Sequence, residues 1–408
     1  EFDSFNASAA NNWMAQWKWN PLWESILSSN AVINGWVNVP GTVDEIENEI
    51  KPTAAMAYYI RALAYFDLVQ TWGKVPLIIN ETTGEEFRSS IQDVYNLIYE
   101  DLEFAEAYLP KSWEDGTGIG RPSKMAAKAL LAKVYLTNAG WPLKDVSKYE
   151  LAATKAKEVM TSGEFSLEPN FKDLWSEDNG ALNEGIFVFR MCDPCANVPG
   201  AWASGAKTNF YKIGFAATEN GGGFEDLLGE IRFFNDFPAG PRKEATYYDN
   251  VGGIPWQNLA SGRPLIAKYG PNLSSIWKST NEDIFISRYA DILLIFAEAS
   301  NKSIGNPNTE AYDAINAVRL RAGLAELTGL TSDEFHDAVI DERSWEFTAE
   351  YTSRWFDMIR NEIVEEVAAK RDPDEVSIIG TITKDNYLAP IPIADITLNP
   401  NLTQNPGY

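Results

Sequence analysis

The chain is poor in the residues that usually carry chemistry. It has 408 residues but only one histidine, His336, and two cysteines, Cys192 and Cys195. A Ser–His–Asp device would rest entirely on His336, whose setting, SDEFHD, reads as a solvated helix surface. A zinc site built on the C-x-x-C of MCDPCAN lacks its second half, and the motif lies in a Pro/Gly/Asn loop rather than at a strand-to-helix start. A local disulfide or inert thiols is the plainer reading. Basic residues are also scarce, 34 against 58 acidic ones, for a formal charge of −24. Without a concentrated basic patch, that surface repels phosphate backbones and excludes nucleic acid as a partner. No run of eighteen apolar residues exists, so no segment reads as a membrane-spanning helix.

Aromatics, by contrast, are plentiful: 14 Trp, 17 Tyr and 20 Phe within a 45% apolar composition. The organising stretch is TAAMAYYIRALAYFDLVQTWGKVPL at 53–77. It is apolar on most of its circumference at helical spacing, so it must be packed on more than one side. Gly73 and Pro76 end it. RALAYFDLV and AKALLAKVYL share one pattern, and Arg61 and Ala127 lie about two tetratricopeptide periods of ~34 residues apart. Helices are also expected at 21–36, 44–50, 91–109, 123–140 (capped by Ser123) and 149–161.

From 164 to 282 Gly, Pro and Asn become frequent and helical periodicity fades, with 186–191 (IFVFRM) a strand candidate. Helical pattern resumes at Phe285 in FISRYADILLIFAEASNK, TEAYDAINAVRLRAGL and SDEFHDAVIDERSWEFTAEYTSRWFDMIRNEI. In the last, Arg343, Glu346, Glu350, Arg354, Asp357 and Arg360 fall on one helix face as an alternating charge ladder. The expected organisation is an N-terminal aromatic loop with the first hairpins (1–163), an irregular lobe (164–282), and C-terminal helices with an extended tail (283–408). The fold class is mostly α: tetratricopeptide-like helical hairpins carrying a loop-rich lobe.

Candidate chemistry is thin. Glu346 and Glu350 form the obvious carboxylate pair for glycoside hydrolysis, yet each has an Arg at helical spacing and reads as part of a structural ladder. EDNG at 177–180 lacks EF-hand spacing, although a structural calcium there is conceivable; no cofactor is expected. The segment NNWMAQWKWNP is different. Trp13, Trp17 and Trp19 sit among Asn11, Asn12, Gln16 and Asn20. Indole faces pack on the apolar faces of sugar rings while amides hydrogen-bond the hydroxyls. The plain alternative is burial of all three, which is hard to achieve within seven polar-flanked residues. Trp202, Tyr247, Tyr248 and Trp256 in the irregular lobe are second candidates.

Taken together, RALAYFDLVQTWGKVPL, RPSKMAAKALLAKVYL, RYADILLIFAEASN, INAVRLRAGL with ERSWEFTAEYTSRWFDMIR, and the terminal QNPGY resemble the SusD/RagB family of surface nutrient-binding lipoproteins. The resemblance implies the hairpin scaffold, non-catalytic binding of a polysaccharide or oligosaccharide, and an outer-membrane location. It also implies a lid-like partnership with a SusC-like TonB-dependent transporter, and attachment through an N-terminal lipid anchor that this chain does not contain. A neutral glucan is the preferred ligand, given the acidic surface. Peptide capture within the same family, a glycoside hydrolase, and a tetratricopeptide scaffold for protein partners are the alternatives. Where many members carry Gly in the last long motif, this chain has Tyr351.

Overall fold

Helices in this chain start where a short polar side chain replaces the missing first turn. Ser90, Ser123, Asn308 and Thr331 each accept a hydrogen bond from the backbone N–H three residues on. In the computed structural model, which describes residues 4–10, 13–113, 120–175, 183–190, 227–268, 283–351 and 354–408, these caps open four of the scaffold helices. The first scaffold block is α1 (Trp13–Gly35), α2 (Lys51–Trp72), α3 (Ile91–Tyr108), α4 (Lys124–Asn138) and α5 (Lys148–Met160). The lobe contributes β1 (Gly185–Phe189), α6 (Ile231–Asp236), α7 (Pro241–Thr246), β2 (Asn250–Val251) and β3 (Ile254–Pro255), and β4 (Ile284–Arg288) follows it at the head of the second block. The second block is α8 (Tyr289–Ile304), α9 (Thr309–Arg321), α10 (Ser332–Glu346), α11 (Arg354–Arg360), α12 (Val364–Ala369) and α13 (Ile393–Leu398).

Neighbours in sequence are neighbours in space through the first block: α1 packs on α2, α2 on α3, α3 on α4 and α4 on α5. Helix α5 then packs directly on α8, although more than a hundred residues of lobe intervene, and α8 receives α9 and α10. The stack of hairpins is therefore continuous and the lobe is set into it. As its pattern requires, α2 is buried on all sides from Arg61 to Val69, and Tyr59, Ala62, Tyr65, Leu68 and Trp72 are at or near zero exposure. Even its polar members are used. Arg61 donates to both carboxylate oxygens of Asp101 on α3 (2.8 and 2.6 Å) and to Asn30 on α1 (2.8 Å), which ties three helices at one point.

The tail does more than lie across the body. Trp72 Nε1 donates to the Pro390 carbonyl and Asn405 Nδ2 to the Trp72 carbonyl, so the tail closes the C-terminal end of α2. Gly73 there adopts φ +71° with Leu388 against it; a Cβ would lie 2.7 Å from the Leu388 side chain.

Four expectations are corrected. From Trp13 onward the segment before Pro21 is helix rather than loop: α1 begins at Trp13 and runs through Pro21, whose missing N–H costs the helix one donor. The acidic 44–50 stretch is no separate helix but a Thr42-capped turn and a π-helical turn leading into α2. FISR is strand, antiparallel to β1 with Gly185 opposite Arg288 and Phe189 opposite Ile284. The long final helix is broken between Glu346 and Arg354, where Ala349 adopts φ +63°. No described helix is long and apolar enough to cross a membrane.

Candidate functional site

Residues two apart on a helix point to nearly opposite sides, and α1 uses this at Trp17 and Trp19. Trp19 faces α2, is 2% exposed, and meets Trp72 (4.9 Å) and Trp23 (5.4 Å) edge to face. Trp17 faces outward and is 72% exposed. Trp19 is thus core, a correction to the idea that all three tryptophans are displayed. The side chain of Trp13, and Asn12, lie outside the described residues, as do Trp202, Cys192, Cys195 and the 177–180 acidic loop.

The other aromatic candidates build the lobe's own small cores. Tyr247 is buried against Phe234 (5.0 Å) and Phe237 (5.6 Å), and Trp256 against Phe234 (5.5 Å). Tyr248 is half-buried beside the Trp256 cluster. Among the described lobe residues, Tyr247 and Trp256 close these cores by packing ring against ring, so these two are used in folding rather than displayed.

The acidic members of the charge ladder are structural, as expected, but their partners lie off the helix rather than along it. Glu346 is fully buried among Arg242 (3.0 Å), Arg288 (2.6 Å) and Arg321. Glu350 accepts from Lys268 (2.7 Å) and Arg288 (2.8 Å), while Glu184 takes Arg288 (2.7 Å) and Arg321 (2.9 Å). Glu342 joins Arg242 and Arg319 to the same hub. Lobe residues Glu184, Arg242 and Lys268 are thereby welded to β4, α9 and α10. Burial pushes the Glu346 carboxyl up, but Arg321, Arg288 and Arg242 together outweigh it and hold it well below the usual carboxylate range. A carboxyl that stays ionised and sealed from water cannot act as a general acid.

A second buried network links α4, α8, α10 and α11. Arg343 donates to Asp291 (2.8 Å) and Asp357 (2.9 Å), Lys133 lies 3.3 Å from Asp291, and Arg360 bridges Asp357 and Glu298. His336 is half-buried beside Glu298, not solvated; burial lowers its pKa, opposed by the Glu298 charge.

Between this network and α1 lies a junction that the sequence did not announce. Asp67 on α2 accepts from Lys18 (3.0 Å) and from the Tyr351 hydroxyl. Lys18 Nζ sits 5.3 Å from the Phe356 ring, and Phe189 meets Tyr351 at 6.5 Å. A cleft lined by Phe66, Asp67, Gln70, Tyr351 and Phe356 runs beneath, about 540 Å³ including the space open to solvent at its mouth. Among the described residues, no group of three or more His, Cys, Asp or Glu side chains is arranged to hold a metal ion.

A helical stack with an inserted lobe, bolted by buried charge and closed by a C-terminal QNPGY, is an architecture with known relatives. Residues 251–408 match the family model described as SusD family, and residues 4–136 the model described as starch-binding associating with outer membrane. The chain belongs to the SusD family. It is similar to SusD-like protein P2 of Formosa agariphila, 27% identical over 95% of this chain and 80% of that protein. It is also similar to the starch-binding protein SusD of Bacteroides thetaiotaomicron, 25% identical over 86% of this chain and 72% of that protein. Among solved structures, a SusD superfamily protein from Parabacteroides distasonis aligns over 98% of this chain and 87% of that one, with a TM-score of 0.82 and 26% identity.

Proposed function

We propose that this SusD-family protein binds a polysaccharide or oligosaccharide at the cell surface without cleaving it, and passes it to a TonB-dependent transporter of the outer membrane. The observation that carries the reading is the match of both ends of the chain to SusD-family models, with a relative named as starch-binding over most of its length. A neutral glucan is the ligand that suits a chain of formal charge −24. The outward Trp17 indole is the stacking surface we assign to it, with the irregular lobe at 164–282 contributing the remaining contacts. Attachment by an N-terminal lipid is part of the same proposal.

The hydrolase alternative is disfavoured by the sealing of Glu346 and Glu350 within guanidinium and ammonium partners. Affinity electrophoresis in gels containing soluble starch or a neutral β-glucan tests the proposal. Retardation without release of reducing ends above a heat-killed control is expected. Sustained release of reducing ends would sink it, and migration unaffected by every polysaccharide but altered by peptides would move the ligand class.

A further inference from the structure

Asp67 gathers four stretches of chain that are far apart in sequence. It is 6% exposed on α2, and each carboxylate oxygen has a donor: Lys18 Nζ from α1 at 3.0 Å on one, the Tyr351 hydroxyl from the α10–α11 break on the other. Lys18 also reaches Thr71 Oγ1 (3.4 Å) and lies over Phe356, while Phe189 brings the end of β1 against the Tyr351 ring. Burial, reinforced by the Asp67 charge, pushes the Tyr351 hydroxyl well above its ordinary range, so it remains a donor.

The body of α1 does not need this arrangement. Trp19, Ile26 and Asn30 already fix it on α2. What lies on the far side of Trp19 is the first part of the helix, and helix ends fray unless something ties them. Lys18 is the tie, and its neighbour is Trp17. A lone Lys–Asp pair near the surface holds little. An Asp that is buried and also held by a tyrosine keeps one orientation, and so keeps the lysine in one place.

We infer that Asp67, with Tyr351 and Lys18 as its donors, is a positioning device for glycan capture: it fixes the first turns of α1 so that Trp17 meets the sugar in a set orientation. The inference rests on the assignment of Trp17 as the stacking surface. Holding a binding residue in its bound geometry raises affinity by removing the ordering cost, so an effect on binding should persist in the fully folded variants.

The experiment uses Tyr351→Phe, which keeps the ring and deletes the donor, and Lys18→Met, which keeps the stem and deletes the charge. Each is compared with Trp17→Ala and with the Trp17→Ala/Tyr351→Phe double variant. Maltoheptaose is the titrant, replaced by a neutral β-glucan oligosaccharide where starch gels show no retardation. Loss of one charge-assisted bond should weaken binding about 3- to 10-fold in Tyr351→Phe and Lys18→Met, measured at a temperature where melts show each variant fully folded. The double variant should be no weaker than Trp17→Ala alone, because the device acts only through that indole. Amide hydrogen exchange should rise in the first turns of α1 and stay unchanged in α3 and α8. Effects that simply multiply in the double variant, or exchange in α1 that does not move, would overturn the inference while leaving the binding reading intact. An unaltered affinity in Trp17→Ala itself removes the stacking assignment, and this inference with it.

Discussion

The middle of helix α2 and the lobe–scaffold hub are both buried, and they are closed by opposite means. Around α2 the closure is apolar: Tyr59, Leu68, Trp72 and their neighbours fill space, and the single Arg61 is satisfied at once by Asp101 and Asn30. At the hub the closure is ionic, with Arg242, Lys268, Arg288 and Arg321 interleaved with Glu184, Glu342, Glu346 and Glu350. Apolar closure tolerates exchange of one shape for another. Ionic closure does not, since each carboxylate serves two or three cations and its loss takes a partner from each of them. The scaffold core can therefore drift in sequence while the junction that holds the lobe is strict in residue type.

The sharpest way to break that contrast is Glu346→Ala. It leaves Arg242, Arg288 and Arg321 without their shared carboxylate, and removing one partner of a buried ion pair costs about 3–5 kcal/mol. Leu68→Ala in α2 should cost about 2–5 kcal/mol, a comparable loss with a different signature. Chemical denaturation should show one cooperative transition shifted for Leu68→Ala. For Glu346→Ala, proteolysis should start first in the lobe, because its anchorage is what fails. If Glu346→Ala is as stable as the parent, the hub is not what holds the lobe.

This difference also explains what was legible in the sequence. The stack could be read because a helix apolar all round, as at 53–77, has few ways to be satisfied, and a capping Ser123 marks its own position. The break near Ala349 was not legible, because the helical spacing of Arg343, Glu346, Glu350, Arg354, Asp357 and Arg360 suits a solvated ladder as well as a buried hub. Charge spacing says which residues share a face and nothing about partners on β4, α9 or the lobe. Tyr351 was visible as an oddity. Its partner Asp67 lies 284 positions away, beyond any local pattern. In a loop Trp17 and Trp19 would be equivalent; the helix puts them on opposite sides.

Titration sharpens the contrast, since apolar closure is indifferent to pH. Burial raises the Asp357 carboxyl, but Arg343 and Arg360 more than reverse this and hold it, like Glu346, well below the usual range. In the unfolded chain these groups protonate near their ordinary values of 3.8 and 4.5. The unfolded state then binds more protons than the folded one, so stability is complete above about pH 4.5 and drains as pH falls toward the depressed folded values. Lys268 works in the other direction. Burial pushes its ammonium down to about 8, only partly offset by Glu350. Between about 8 and the ordinary lysine value of 10.5 the unfolded chain holds a proton that the folded chain has released, so this group makes stability rise with pH there. Lys268→Met should abolish that rise in thermal melts across pH 7–10.5 and leave the acid limb unchanged. A parent protein with no rise over that range would mean that Lys268 is not strained by its burial.

The smallest expected stability change is also the most informative about function, because at α1 closure and display are two residues apart. Trp19→Ala removes an indole packed on Trp72 and Trp23, and a core Trp→Ala costs about 3–5 kcal/mol. Trp17→Ala removes an indole that is 72% exposed, and surface substitutions usually stay within about 0.5 kcal/mol. If Trp17 stacks on sugar, its loss should weaken binding by ~1–3 kcal/mol, by analogy with aromatic stacking on nucleic-acid bases. Trp19→Ala should weaken binding only in step with unfolding. Melts and calorimetric titrations on the two single variants read both quantities on each protein. A Trp17→Ala protein that binds as the parent does would leave α1 as scaffold only and move the stacking surface into the 164–282 lobe.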